Sequence, residues 1–223
     1  MAELILPDNR DLYLADLEQM FERRYELFFE RLGWCPDAVG VTRGYDKDAF
    51  DQDSTVYIIE RMPGARDIVG FARLNPTTGP HMMRARFAHY CDYCSAPPIA
   101  NDLWELSRLG YFTPRFGGDR SIWKEVRARM LTAITEYCLQ VGIRRLEYVV
   151  RENVYTAIQR EAWGAQPLGG RHAESLSEPA YVAGISGMTR NGLTQVRSLL
   201  HDPEETVLMY YGPVSSIQLR AAA

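Results

Sequence analysis

The hydrophobic positions near the start of the chain follow the period of an α-helix. Between residues 11 and 32 they recur every three or four residues, which is typical of a helix with one buried face. These positions are Leu14, Leu17, Phe21, Tyr25, Phe28 and Leu32. Gly33 follows and is suited to end the helix. Arg24 lies within or beside the hydrophobic face, so it requires an anionic partner unless only its aliphatic stem packs there.

Runs rich in β-branched and aromatic residues predict the strands of a sheet. These strands are expected at residues 4–6, 55–60, 68–74, 104–112, 145–150, 181–187 and 206–211, with an irregular stretch over residues 82–102. MPGARD separates the second and third runs, which therefore form a predicted hairpin. Helical periodicity returns at residues 121–141, 153–163 and 193–200. This order predicts an α/β fold, a three-layer sandwich in which a mixed, mostly antiparallel twisted sheet carries helices on both faces.

The composition is that of one globular domain. Of the 223 residues 46% are hydrophobic and 24% are charged, enough to bury a sizeable core. We predict a single domain over residues 1–213 and a flexible tail over residues 214–223. A net charge of -4 argues against nucleic acid as a partner, and no segment reaches the roughly 18 apolar residues of a membrane span. Four scattered cysteines and the absence of a signal-peptide pattern favour a cytoplasmic protein.

The strand at residues 104–112, WELSRLGYF, carries two charges in an otherwise apolar run. Because a buried unpaired charge costs several kcal/mol, Glu105 and Arg108 either pair with each other to brace the sheet or are available to a ligand. In a regular strand, residues three apart point to opposite faces. If both side chains face one site, the strand must contain a β-bulge or a splay between Glu105 and Gly110.

No metal site is predicted. The acidic segment DKDAFDQD has Phe50 at the fifth position of a calcium loop and lacks the glycine at the sixth. Cys91 and Cys94 form a lone CxxC without a second pair, so zinc is not expected. The acidic segment could instead fold over a cationic ligand, since carboxylates and aromatic faces both attract positive charge.

Four motifs in the first half of the chain occur in an order that is specific to one family. They are RRYELFFERLGW, DKDAFD, ARLNPT and WELSRL. Together they resemble the motifs of the acyl-homoserine-lactone synthases, the LuxI-type autoinducer synthases. The matching positions are Arg24, Phe28, Trp34, Asp48, Asp51, Arg73, Glu105 and Arg108. The resemblance covers roughly residues 1 to 190 and implies a fold like that of the GCN5-related acyltransferases, which agrees with the predicted order of elements.

The resemblance implies transfer of an acyl group from a thioester to the α-amine of S-adenosylmethionine. Lactone formation and release of methylthioadenosine would follow, and the product would serve quorum sensing. The acyl thioester, carried by acyl carrier protein or coenzyme A, and S-adenosylmethionine would be substrates, and no cofactor would be bound permanently. Two alternatives stay open: another N-acyltransferase of the same fold that acts on a different small amine, and a non-catalytic module that binds acyl thioesters or carrier proteins.

The implied chemistry requires a base. An α-amine has a pKa of about 7.7 to 8.0 and is mostly protonated at neutral pH, so it cannot attack a thioester until it loses a proton. Glu105 is the candidate base, and the resemblance adds Asp48 and Arg108 to the catalytic set. Backbone N–H groups of the central strand would polarise the thioester carbonyl. The pantetheine arm would lie where this strand splays from the strand at residues 145–150.

The resemblance also assigns substrate and carrier contacts. Substrate binding falls to Arg24, Phe28, Trp34, Asp51, Arg73, Ser107 and Tyr148. Family members that make 3-oxo products often have a threonine where Tyr148 aligns, which argues against a 3-oxo product. The bulk of Tyr148 instead favours a short, branched or aromatic acyl group. If the donor is the acidic acyl carrier protein, the candidate docking residues are Arg115, Arg120, Arg127, Arg144 and Arg145.

Overall fold

A computed structural model describes most of the chain. It covers residues 1–35, 40–62, 64–91, 98–111, 120–161, 163–172 and 180–212, with the backbone alone at residues 120, 121 and 161. The helices are α1 (Leu14–Tyr25), α2 (Met82–Arg86), α3 (Arg120–Val141), α4 (Glu152–Glu161) and α5 (Arg190–Arg197). The predicted tail at residues 214–223 lies outside the described ranges, as does the candidate docking residue Arg115.

The strands form one eight-stranded sheet. They are β1 (Ala2–Ile5), β2 (Val56–Arg61), β3 (Ile68–Pro76), β4 (Leu103–Tyr111), β5 (Arg145–Arg151), β6 (Gln166–His172), β7 (Tyr181–Gly187) and β8 (Leu208–Tyr210). Their order across the sheet is β6-β7-β5-β4-β3-β2-β1-β8. The pairs β4/β5 and β1/β8 are parallel and the other pairs are antiparallel. The mixed, mostly antiparallel sheet that the sequence predicts is confirmed.

Helices cover both faces of this sheet. On one face, α1 buries its hydrophobic side against β2 and β3, with Phe21 packing near Tyr57 and Phe28 near Phe71. On the other face, α3 buries Ile134 in the larger core, to which α4 and α5 also contribute. We call these the α1 face and the α3 face. The three-layer arrangement is therefore confirmed.

Two elements and several boundaries differ from the sequence predictions. The structure has the strand β6 and the short helix α2, neither of which is predicted. The first helix is not uniform, because a π-helical turn at Glu26–Arg31 continues α1. Helix α4 spans Glu152–Glu161, whereas the periodicity predicts residues 153–163. The remaining helices and strands fall within a few residues of their predicted positions.

Strand β4 contains a β-bulge opposite β3. In β3, Phe71 pairs with Gly110 of β4 and Arg73 pairs with Ser107 of β4. The single β3 residue between Phe71 and Arg73 therefore lies opposite two residues of β4. One of these two is Arg108, whose φ of 52° lies in the left-handed region that residues other than glycine rarely adopt. Such a backbone costs of order 1–3 kcal/mol and persists only where the surroundings enforce it.

The bulge turns the charged residues of β4 toward one face. Glu105 and Ser107 alternate regularly and face α1, because their β3 partners are Asn75 and Arg73. The extra residue then lets Arg108 point to the α1 face as well. The predicted bulge between Glu105 and Gly110 is confirmed, and Glu105 and Arg108 share one face of the sheet.

Strands β4 and β5 separate soon after they meet. Their parallel register comprises three pairs, which end at Glu105 opposite Glu147. From there β4 stays with β3 as far as Tyr111, while β5 stays with β7 as far as Arg151. The result is a V-shaped opening, which we call the cleft, and its apex is formed by the Glu105–Glu147 pair. This confirms the predicted splay.

Gly110 permits a close contact at the bulge. A Cβ at Gly110 would lie 2.5 Å from Leu27 Cδ2 and 2.6 Å from Phe71 Cε2. We expect Gly110→Ala to lower the free energy of unfolding by about 1–3 kcal/mol in urea denaturation, because the added methyl overpacks this contact. Gly187→Ala is the control, since a Cβ there meets its nearest neighbour, Thr189, at 3.8 Å. Equal effects of the two substitutions would contradict this explanation.

Candidate functional site

Three guanidinium groups and three carboxylates alternate around a closed ring on the α1 face. The members, in order, are Arg24, Asp46, Arg108, Asp48, Arg73 and Asp51. Successive N–O distances around this charge ring are 3.1, 2.7, 3.0, 2.6, 3.1 and 2.8 Å. All six side chains are at most 2% exposed. Each charge has two opposite neighbours, so the ring is formally neutral.

Hydrogen bonds of the loop after residue 45 bring its three carboxylates to the ring. The Asp46 N–H donates to the Phe21 carbonyl at 3.1 Å, which ties the loop to α1. The Phe50 N–H donates to Asp48 Oδ1 at 2.8 Å, and the Asp48 N–H donates to Asp51 Oδ2 at 2.8 Å. Aspartate side chains favour such turns because they accept from nearby backbone N–H groups. The loop is therefore rigid where it meets the sheet.

The arginines of the ring keep Asp46 and Asp51 ionised. Burial alone would raise the pKa of Asp51, but Arg24 and Arg73 beside it hold that pKa well below its usual range. Burial also opposes ionisation of Asp46, and here Arg24 and Arg108 lower the pKa. Asp46 and Asp51 therefore stay charged and paired at neutral pH.

The ring decides between the alternatives left open for the arginines. Arg24 has two aspartate partners, so it is not a side chain that only packs its stem. Arg108 pairs with Asp46 and Asp48 and not with Glu105. Asp46 lies in the acidic motif but is missing from the predicted site residues, although it bridges Arg24 and Arg108.

Two aromatic side chains cover the charge ring at Arg108. Phe28 and Trp34 stack with centroids 4.6 Å apart, and the Arg108 guanidinium carbon lies 5.4 Å and 5.1 Å from these two centroids. The π-helical turn holds the pair together, because the Trp34 N–H donates to the Phe28 carbonyl at 2.9 Å. Such π-helical turns are frequent at functional sites. The structure thus brings together the three predicted residues Phe28, Trp34 and Arg108.

Glu105 stands apart from the ring. It is 2% exposed, and its Oε2 accepts from the Met83 N–H at 2.5 Å, in the first turn of α2. Its Oε1 is buried and has no hydrogen bond to any residue in the described ranges. A buried carboxylate oxygen without a donor is costly, so Glu105 is suited to receive a polar ligand.

Two titratable residues that the sequence analysis missed lie beside Glu105. Glu147 is fully buried and is its partner in the parallel register, and His81 Nε2 lies 3.4 Å from Glu147 Oε1. Burial, and then the charge of Glu105, raise the pKa of Glu147 to about 8. A glutamate in the apolar run RLEYVV is the signal that could have indicated it.

The other two predicted substrate residues lie in different surroundings. Ser107 accepts a hydrogen bond from Arg73 Nε at 3.0 Å, next to the ring. Tyr148 lies on the α3 face, is 1% exposed and is hydrogen-bonded to Ser186 at 2.6 Å. Tyr148 can contact an acyl chain only if that chain passes through the cleft from the α1 face. Its predicted role stays a prediction.

The arginines predicted to dock a carrier protein do not form one described surface. Arg145 is paired with Asp102 at 2.8 Å, and Arg144 beside it is exposed. Arg127 is half-buried on α3, and the side chain of Arg120 lies outside the described set. Their docking role stays a prediction.

Within the described ranges no three His, Cys, Asp or Glu side chains are grouped to hold a metal ion. Nor does any helix in the described part of the chain have the length and apolar character needed to cross a membrane.

Comparison with known proteins identifies close similarities. A family model of autoinducer synthases matches residues 8–186. An acyl-homoserine-lactone synthase of Ralstonia solanacearum is 36% identical over 177 residues, 74% of this chain and 80% of the relative. An isovaleryl-homoserine lactone synthase of Bradyrhizobium diazoefficiens is 30% identical over 91% of this chain and 84% of its own length. The solved structure of a CoA-dependent acyl-homoserine lactone synthase, BjaI, with SAM and isopentyl-CoA is 26% identical, has a TM-score of 0.81, and covers 96% of this chain and 94% of its own.

Proposed function

Since the chain belongs to the autoinducer synthase family, we propose that the cleft, with Glu105 at its apex, is where an acyl group is joined to the α-amine of S-adenosylmethionine. The chain is an acyl-homoserine-lactone synthase: it transfers an acyl group from a thioester to that amine, forms the lactone and releases methylthioadenosine. Its fold is that of the GCN5-related acyltransferases. The first of the three hypotheses drawn from the sequence is therefore confirmed.

Glu105 is the residue that removes the proton from the amine. Its Oε2 is fixed by the Met83 N–H, and its Oε1 has no described partner, so one oxygen is oriented and the other is available to the ammonium group. Arg108 does not compete for it, because Arg108 is held by the ring. This free, oriented carboxylate at the cleft is the observation that supports the proposal most strongly.

The charge ring serves as a scaffold and does not exchange protons. Its carboxylates are each held by two arginines, which leaves them poorly placed to take a proton of the amine. Asp48 and Arg108 therefore contribute by fixing the loop and the bulge. Phe28 and Trp34 present aromatic faces to the same region, and such faces attract a cation such as the sulfonium of S-adenosylmethionine.

The bulge and the cleft form the binding site for the thioester. Beyond Glu105, the described residues of β5 no longer pair with β4, so backbone groups on this edge of β4 are available to a ligand. A thioester laid along that edge would place its carbonyl oxygen against N–H donors of β4. Removal of one such donor from an oxyanion site typically lowers kcat about 100-fold to 1,000-fold.

Acyl-coenzyme A, with a short branched acyl group, is the proposed donor. The comparisons support this choice, since they include an isovaleryl-homoserine lactone synthase and the structure of a synthase described as CoA-dependent. In this chain the ring of Tyr148 packs directly on Gly184, where a Cβ would lie 2.7 Å from Tyr148 Cε2. The tyrosine thus fills space on the α3 face that a long acyl chain would require.

A donor comparison tests this choice. Release of methylthioadenosine is measured with isovaleryl-coenzyme A, with octanoyl-coenzyme A and with isovaleryl-loaded acyl carrier protein. We expect kcat/KM to be at least about tenfold higher with isovaleryl-coenzyme A than with the longer chain, and Tyr148→Thr to reduce that ratio. A higher kcat/KM with the loaded carrier protein would overturn acyl-coenzyme A as the donor. The arginines near Arg144 would then be the candidates for docking the carrier protein.

We also place the enzyme in the cytoplasm. Cys35 and Cys138 are free thiols, as is usual in a reducing compartment.

A further inference from the structure

Three buried titratable side chains meet at the apex of the cleft. They are Glu105 from β4, Glu147 from β5 and His81 from the segment before α2, each at most 2% exposed. Four of their polar atoms have no hydrogen bond within the described ranges: Glu105 Oε1, both carboxylate oxygens of Glu147, and His81 Nε2. So many unsatisfied groups in one place are unusual for a folded protein, and each calls for an explanation.

The tautomer of His81 makes its free nitrogen an acceptor. His81 Nδ1 lies 2.8 Å from the Gly79 carbonyl oxygen, which can only accept, so Nδ1 carries the hydrogen. In the neutral ring Nε2 then presents a lone pair toward Glu147 Oε1, 3.4 Å away. This distance is longer than a hydrogen bond, so a small approach of the two side chains would let a proton pass from Glu147 to His81.

The proposed reaction has more protons to move than Glu105 can hold. The nitrogen changes from an ammonium to an amide, so it loses two protons while the N–C bond forms and the C–S bond breaks. The leaving thiolate takes one of these protons, and the other goes to solvent. A single carboxylate accepts only one, and Glu105 must be ionised again before the second is removed.

We propose that Glu147 and His81 are positioning residues that act through Glu105 and carry its proton away within each turnover. Glu105 takes the first proton from the ammonium. Glu147, in its acid form, accepts that proton on one oxygen and passes its own to His81 Nε2. Glu105 is again a carboxylate, takes the second proton as the amide forms and gives it to the leaving thiolate, while His81 releases the first proton to solvent before the next turnover. This inference rests on the proposed function and assigns a role to groups that the reaction otherwise leaves unused.

The surroundings of Glu147 favour the acid form that a relay requires. The titratable groups that face it in the described ranges are Glu105 and His81. Its β7 partner Ile185, on the same face, is uncharged. With its pKa raised to about 8, Glu147 is mostly protonated at neutral pH and can both accept and donate.

Two variants test the relay. Glu147→Gln removes the proton that is passed on, and His81→Asn retains a donor for the Gly79 carbonyl while it removes Nε2. We expect each to lower kcat by about tenfold to 100-fold with the KM for S-adenosylmethionine changed less than about twofold, and added imidazole to raise kcat in His81→Asn but not in the wild type. The control is Glu60→Gln, which neutralises a glutamate that is just as buried but lies on β2, away from the cleft. It should keep the wild-type kcat.

The outcomes separate this inference from the proposed function. If the wild type forms product and both folded variants keep its kcat, or change KM alone, the relay is wrong and the function stands. If the wild type forms no product, the proposed function and the relay both fail. If the variants do not fold, the wild type alone can test the relay. Its single-turnover rate, plotted against the fraction of D₂O in the solvent, should fall along a curve because more than one proton moves. A straight line or no effect would contradict the relay.

Discussion

Replacing Glu105 with glutamine is expected to lower kcat by a factor of about 100 to 10,000, the usual effect of removing a general base. Glutamine has nearly the same shape, and its amide oxygen can still accept from the Met83 N–H that holds Glu105 at 2.5 Å. It cannot take a proton from the ammonium group of S-adenosylmethionine. The loss should therefore appear in kcat, and binding of S-adenosylmethionine by calorimetry should stay close to that of the wild type.

A matched control excludes a general effect of neutralising a buried glutamate. Glu60 is 1% exposed on the same sheet, and Glu60→Gln should leave kcat unchanged. Full turnover by the Glu105→Gln enzyme, with the control also active, would remove Glu105 from the mechanism and leave the cleft without its base.

Replacing Asp51 with asparagine is expected to lower the free energy of unfolding by about 3–5 kcal/mol. Asp51 accepts hydrogen bonds from both terminal nitrogens of Arg24 and from the Tyr57 hydroxyl, and it lies 3.1 Å from Arg73. Its removal leaves two buried guanidinium groups with one carboxylate fewer. Urea denaturation measures the loss, and Asp53→Asn, at an exposed position of the same loop, should change stability little.

The same ring determines a pH dependence. The pKa of Asp46 and of Asp51 is lower in the folded protein than the value of about 3.9 usual for an unfolded chain. Their contribution is therefore fully present above about pH 4 to 5 and is lost as pH falls further, and Asp51→Asn should show a smaller loss than the wild type. A loss of stability in acid that is equal in the two proteins would contradict this role of the ring.

Much of the fold could be predicted because its elements carry their own periodicity. The spacing of Leu14 through Phe28 and the β-branched runs of β2 and β3 indicate a helix and a hairpin without tertiary information. The strand β6 could not be predicted, since QPLGGRH contains proline and two glycines and pairs with β7 through its backbone. The helix α2 is five residues long, too short for a periodic signal.

The site residues were predicted partly from the family resemblance and partly from local rules. The sequence predicts that Arg24 needs an anionic partner, and the structure provides two aspartates. The sequence also predicts that two charges three residues apart in β4 can share a face only with a bulge, and the bulge is present. The closed ring could not be predicted, because its members come from α1, the loop, β3 and β4, and only the fold brings them together. For the same reason the sequence did not reveal that Glu147 and His81 lie beside Glu105.

Product analysis tests the central claim most directly. The purified chain is incubated with S-adenosylmethionine and isovaleryl-coenzyme A, and the products are quantified by liquid chromatography and mass spectrometry. We expect equal amounts of methylthioadenosine and N-isovaleryl-homoserine lactone, with one free coenzyme A for each. Consumption of the thioester without methylthioadenosine, or acylation of some other amine in place of S-adenosylmethionine, would contradict it.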